Sequence, residues 1–94
     1  MSTTILRIPT PLRSLAGGSS RLEVRASTVR EALENVGREH TQLLPRLLND
    51  EGELRSFVNV FLGSTNIRQL DGLDTAVSAR DVLAILPAVA GGAR

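Results

Sequence analysis

The stretch Val82-Leu83-Ala84-Ile85-Leu86-Pro87-Ala88-Val89-Ala90-Gly91-Gly92-Ala93-Arg94 decides the fold. Its first five residues are apolar, follow Asp81 and run into a proline. A short continuous apolar run between such boundaries reads as a buried strand. Both faces of that strand are apolar. One face must pack on a helix. The other, with Val82, Ala84 and Leu86, lies on the sheet surface. Beyond Pro87 the residues are small and build no core. Two glycines lose more freedom on ordering than any other pair, so Gly91 and Gly92 have no folding role. They do offer a backbone bare of side chains. A segment that threads a narrow channel and presents a carboxyl group to an enzyme needs that. The chain therefore divides into a domain over 1–87 and a flexible tail over 88–94.

Working outward, Phe57-Val58-Asn59-Val60-Phe61-Leu62 is the strongest strand before it. Val58, Val60 and Leu62 share one face; Phe57, Asn59 and Phe61 share the other, by the period of two. Phe61 then falls near Ala84 and Leu86. An apolar patch on an otherwise polar small domain marks a partner site. Phe61, Leu86 and Pro87 are the candidate partner interface. Gly63 to Asn66 reads as a turn, with Ile67-Arg68 as a short return strand. Leu70 to Val77 reads as compact and irregular, with Leu73 and Val77 plugging the core.

The first half supplies a hairpin and a helix. Thr4 to Ile8 reads as a strand with Leu6 and Ile8 on one face, closed by Pro9 and Pro11. Leu12 to Ser20 reads as a turn region with Gly17-Gly18-Ser19-Ser20 at its tip. Arg21 to Arg25 alternates, Leu22 and Val24 inward, and should pair antiparallel with the first strand. Thr28-Val29-Arg30-Glu31 is a capping box. The helix it opens carries Val29, Ala32, Leu33 and Val36 on one face, and Gly37 weakens its end. Leu43-Leu44 and Leu47-Leu48 around Pro45 predict a second short helical turn at the core edge. Asn49 to Glu53 reads as a solvated loop; its carboxylates lack the spacing of a calcium loop.

Composition excludes several functions. At 94 residues the chain is one domain. It has no cysteine, hence no disulfide, thiolate metal site or catalytic thiol. No stretch is long and apolar enough to span a bilayer, and the N-terminal residues carry no secretory pattern. A cytoplasmic location is expected by default, with no membrane partner. The net charge is +1, with both signs interspersed and Phe57 and Phe61 as the two aromatics, which argues against nucleic-acid binding. Without lysine the Gly17-Gly18 loop is no P-loop. His40 stands alone, and no nucleophile, base and orienting group fall together, so no catalytic residue, metal or bound cofactor is expected. All 11 basic residues are arginine. A protein with an activated acyl group gains from that, because arginine stays protonated where lysine can attack. Codon bias in a GC-rich genome accounts for it more simply.

The order hairpin, helix, hairpin, final strand predicts an α+β fold. Its mixed sheet has four to five strands, one main helix packs on one face, and the last strand runs parallel to the first in the centre. That is the ubiquitin-like β-grasp arrangement. With this order go Ile8-Pro9-Thr10 with Leu12-Arg13, Phe57-Val58-Asn59-Val60, Gly72-Leu73-Asp74-Thr75-Ala76, and Ile85 to Gly92. In these residues the chain resembles the ubiquitin-like sulfur carrier proteins of the MoaD/ThiS family, and within it the CysO type.

The resemblance implies that Gly92 is the reacting residue. In such proteins an E1-like adenylyltransferase uses ATP to adenylate the glycine carboxylate. Sulfur then displaces AMP, and the thiocarboxylate serves a sulfur-accepting biosynthetic enzyme, for cysteine or for a thio-metabolite or cofactor. Gly91 and Gly92 thread the partner, and Leu86 falls at a docking position of the family. The sequence departs from the pattern where Ala93 and Arg94 follow Gly92. Some family members carry such extensions, trimmed by a JAMM-type zinc metalloprotease, and here the implied cut lies between Gly92 and Ala93. Two other readings stay open: a protein modifier joined to target lysines, and a small noncatalytic subunit of a molybdopterin-synthase-like complex.

Overall fold

The computed structural model describes residues 2–87, and of Ser2 the backbone. The expected tail, with Gly91, Gly92 and Ala93, lies outside the described residues.

Five strands form one mixed sheet: β1 (Ser2–Arg7), β2 (Arg21–Ala26), β3 (Val58–Leu62), β4 (Thr65–Asn66) and β5 (Val82–Pro87), in the order β2-β1-β5-β3-β4. β1 and β2 pair antiparallel, with Leu6 opposite Leu22 and Thr4 opposite Val24. β5 lies parallel to β1 and antiparallel to β3, as its two apolar faces require of a central strand. Its inward residues Leu83 and Ile85 are buried and oppose Leu6 on one side and Leu62 and Val60 on the other.

The main helix, α1 (Val29–Glu39), crosses the inner face. Thr28 is its N-cap, in extended backbone, and its Oγ1 accepts the amide of Glu31 at 3.2 Å. The Glu31 carboxylate reaches back one residue further than the capping box predicts. It accepts the Ser27 amide at 2.8 Å and the Ser27 hydroxyl at 2.7 Å. Val29, Ala32, Leu33 and Val36 are buried, as their spacing predicts. Each large side chain so buried contributes about 1.5–3 kcal/mol by transfer alone. Helix α2 (Leu44–Leu47) closes the core edge with Leu43, Leu47 and Leu48 buried.

The structure corrects three readings. Residues Thr10–Ala16 form a 3₁₀ helix, not an open turn. Pro11 sits in its first turn, and Leu12 and Ala16 are buried beneath it. Gly37 stands in the last turn of α1, which ends at Glu39. It is buried because Leu44 lies against it. The return strand is Thr65–Asn66, and Ile67–Gln69 is a 3₁₀ turn. The turn is shorter than expected: Gly63 takes φ 63° and Thr65 already opposes Leu62. A two-residue connection suits an antiparallel pair. Val77 is buried and Leu73 packs partly buried on the core, as expected. Their segment is stitched to the start of α1 by Val29 N–H to Thr75 O and Val77 N–H to Ser27 O, both 3.0 Å.

Candidate functional site

The face of the sheet away from α1 carries the candidate site. Side chains directly opposed on paired strands share a face. Across β5 this gives Ile5 beside Val82, Arg7 and Phe61 on either side of Ala84, and Asn59 beside Leu86. The small Ala84 leaves a dip between its neighbours. Leu86 is 47% exposed, unusual for a leucine in a central strand. Phe61 is partly buried beside it, and Phe57, just ahead of β3, is 49% exposed. Leu86 and Phe61 thus come together as the period of two predicts. Pro87 does not join them: it opposes Val58, a residue of the buried face. Its missing N–H suits the last position of the ladder.

A polar rim frames this strip. Asn59 Oδ1 accepts Asn66 Nδ2 at 3.2 Å and Arg68 Nε at 3.4 Å. The Arg68 guanidinium also donates to the carbonyls of Arg55 (2.9 Å) and Val58 (2.7 Å). One side chain therefore ties the approach to β3 to the turn after β4.

A second feature left no trace in the residue pattern. A depression of about 710 Å³ opens beside Ala84 and Leu86 and is lined by Pro9 and by Arg7, Arg13 and Arg21. The three arginines stand on three successive elements of the chain's first quarter, β1, the 3₁₀ helix and β2. The β1–β2 register sets Arg7 directly opposite Arg21. Arg13 comes from the unforeseen 3₁₀ helix, and its Nε donates to the Ile8 carbonyl at 3.0 Å.

His40 caps the C-terminal end of α1 through its own amide, which donates to Val36 O at 2.9 Å. The Ser27 hydroxyl and amide hold the Glu31 carboxyl below its ordinary value. Among the described residues no three His, Asp or Glu side chains gather as metal ligands, and no helix is long and apolar enough to cross a membrane.

A mixed sheet with its last strand at the centre, one helix across one face and an apolar strip on the other defines a ubiquitin-like β-grasp protein. The chain belongs to the ThiS family, whose sequence pattern matches residues 6–92. It is 33% identical to the sulfur carrier protein CysO of Mycobacterium tuberculosis H37Rv, over 98% of this chain and 100% of the relative. Among solved structures it is similar to a chain of the Amycolatopsis orientalis BexX/CysO complex. There the TM-score is 0.88 and the identity 38%, over 95% of this chain and 99% of that one. The small archaeal modifier protein 1 of Methanosarcina acetivorans has a TM-score of 0.86 and 28% identity, with 98% of each chain covered.

Proposed function

We propose that this protein is a sulfur carrier whose reacting group is the carboxyl of Gly92, freed by removal of Ala93-Arg94. One observation carries the reading: β5, which leads into the Gly-Gly tail, is the central strand and shows Leu86 on the open face, which it shares with Phe61 of the neighbouring β3. A partner that grips this strip holds the root of the tail at a fixed place. Whole-length similarity to a sulfur carrier and to the carrier type in the BexX/CysO complex supports the assignment.

In the proposed sequence a JAMM-type zinc metalloprotease hydrolyses the Gly92–Ala93 amide. An E1-like enzyme then adenylates the new carboxylate. A carboxylate oxygen attacks the α-phosphorus of ATP, and pyrophosphate leaves. Hydrosulfide next adds to the acyl carbon, the bond to AMP breaks, and a thiocarboxylate remains. Activation is needed because a carboxylate is a poor electrophile until it carries a good leaving group. The thiocarboxylate passes its sulfur to a biosynthetic enzyme, for cysteine or another thio-product. The carrier performs no catalysis itself; ATP belongs to the activating enzyme, and the reading carries a cytoplasmic location with it. Leu86 and Phe61 dock the partner, and Pro87 ends the strand where threading begins.

Similarity to an archaeal modifier protein favours a second reading, in which activated Gly92 is joined to lysines of other proteins. Intact-mass spectrometry of protein from its native host tests both. Loss of Ala93-Arg94, with one carboxyl oxygen replaced by sulfur, is the expected result. A chain that keeps both residues under sulfur demand overturns the carrier reading. Gly-Gly remnants on target lysines would instead establish the modifier.

A further inference from the structure

We propose that Arg7, Arg13 and Arg21 form a charged docking site, continuous with the apolar strip, for an acidic loop of the enzyme that activates the tail. Naming that enzyme rests on the sulfur-carrier reading; the demand for carboxylates does not. Arg7 and Arg21 face each other across β1 and β2. Like charges directly opposite on a sheet are destabilising. The chain has 10 acidic residues, yet none forms an ion pair with either arginine. The ion pair among the described residues, Arg30 with Asp74, is elsewhere. Glu23, the nearest acidic residue by register, stands opposite Ile5, diagonal to Arg7, and makes no ion pair with it. Arg13 adds a third positive charge. Its Nε is held by the Ile8 carbonyl, which leaves the outer guanidinium nitrogens for a partner.

The chemistry of the depression selects the occupant. Guanidinium forks match carboxylates in a bidentate way. No aromatic side chain lines the depression, so it offers no stacking platform for nucleic-acid bases. It adjoins Ala84 and Leu86, at the end of β5 that leads to the tail. An enzyme seated on Leu86 therefore lays its surface over the three arginines. Complementary charge at such a rim acts mainly on the encounter rate and on the choice of partner.

The test reverses two charges, Arg7→Glu with Arg21→Glu, in chain ending at Gly92. ATP–pyrophosphate exchange by the activating enzyme is measured at low and high salt, and Arg38→Glu with Arg46→Glu is the control. The expected result at low salt is a rise in KM of about tenfold or more, with kcat within about twofold and the control unchanged. High salt should narrow the gap by weakening wild type. Equal KM values for wild type and the reversed variant, or an equal rise in the control, overturn the proposal. A wild-type chain that supports no exchange sinks the carrier reading instead. Hexaglutamate titrated into labelled protein then decides the site alone. Saturable shifts at the Nε–H groups of Arg7, Arg13 and Arg21 uphold it; shifts no larger than those of Arg38 and Arg46 overturn it.

Discussion

Gly37 and Leu44 lie so close that a Cβ on the glycine would stand 2.8 Å from the Cβ of the leucine. That atom is fixed to the backbone of α2 and does not swing aside. The approach lets α2 fold back on α1 and bury Leu43, Leu47 and Leu48.

Gly37→Ala should therefore destabilise the protein, although alanine gains about 1 kcal/mol in helix propensity. Overpacking a filled site costs about 1–3 kcal/mol. A net loss of about 1 kcal/mol, or about 4–8 °C in Tm for a domain this size, is expected by thermal unfolding. Leu44→Ala removes the Cγ and Cδ2 contacts but keeps the Cβ one at 2.8 Å, so in the double variant the loss from Gly37→Ala should be reduced but not abolished relative to Leu44→Ala alone. A Gly37→Ala protein more stable than wild type would show that α2 moves freely.

The start of α1 separates two contributions by pH. Thr28→Ala removes the cap and should cost about 1 kcal/mol at any pH. Glu31 has a folded-state pKa below its ordinary 4.5, chiefly through the Ser27 hydroxyl. Its contribution is fully present above the unfolded value and fades as pH falls through the folded one. Wild type should exceed Glu31→Gln in stability at neutral pH, and the two should converge on acidification below about 4.5. Urea unfolding across that window reads the difference; a gap that widens in acid contradicts it.

Arg68 donates to two carbonyls and to Asn59. Arg68→Met leaves those acceptors to water and should cost about 1–2 kcal/mol. Lysine cannot reproduce the fork, so Arg68→Lys should restore less than half. Denaturant midpoints of the three proteins check this.

Leu86→Ser should do the opposite of a core change. At 47% exposure the side chain adds little to folding, and stability should stay within about 0.5 kcal/mol. Partner binding should weaken by at least about 1 kcal/mol, a roughly fivefold rise in the KM for the carrier. Leu33→Ala, in the fully buried core, is the contrast and should cost about 2–5 kcal/mol of stability.

Elements whose residues repeat with a clear period were legible in the sequence. The buried face of α1 follows from helical spacing and the β1–β2 hairpin from alternation, while β5 at the centre follows from its continuous apolar run and the order of elements. Thr10–Ala16 escaped because three residues after Pro9 include a second proline, which also reads as a turn. Leu12 and Leu15, three apart and both packed on the core, were the available signal of a 3₁₀ helix. Gly37 escaped because its reason lies on another element. The arginine depression escaped for the same cause: strand register and a 3₁₀ helix assemble it from three successive elements. Pro87 was grouped with Leu86 by adjacency, whereas neighbours on a strand face opposite ways.

The parallel pairing of β1 with β5 also governs how the molecule bears a pull. The chain enters the sheet at the start of β1 and leaves it at the far end of β5. Traction on the tail against a held amino-terminal end slides the two strands lengthwise. The hydrogen bonds between them are then loaded together rather than peeled one after another. A pull of that kind meets more resistance than one that peels an edge strand from its end.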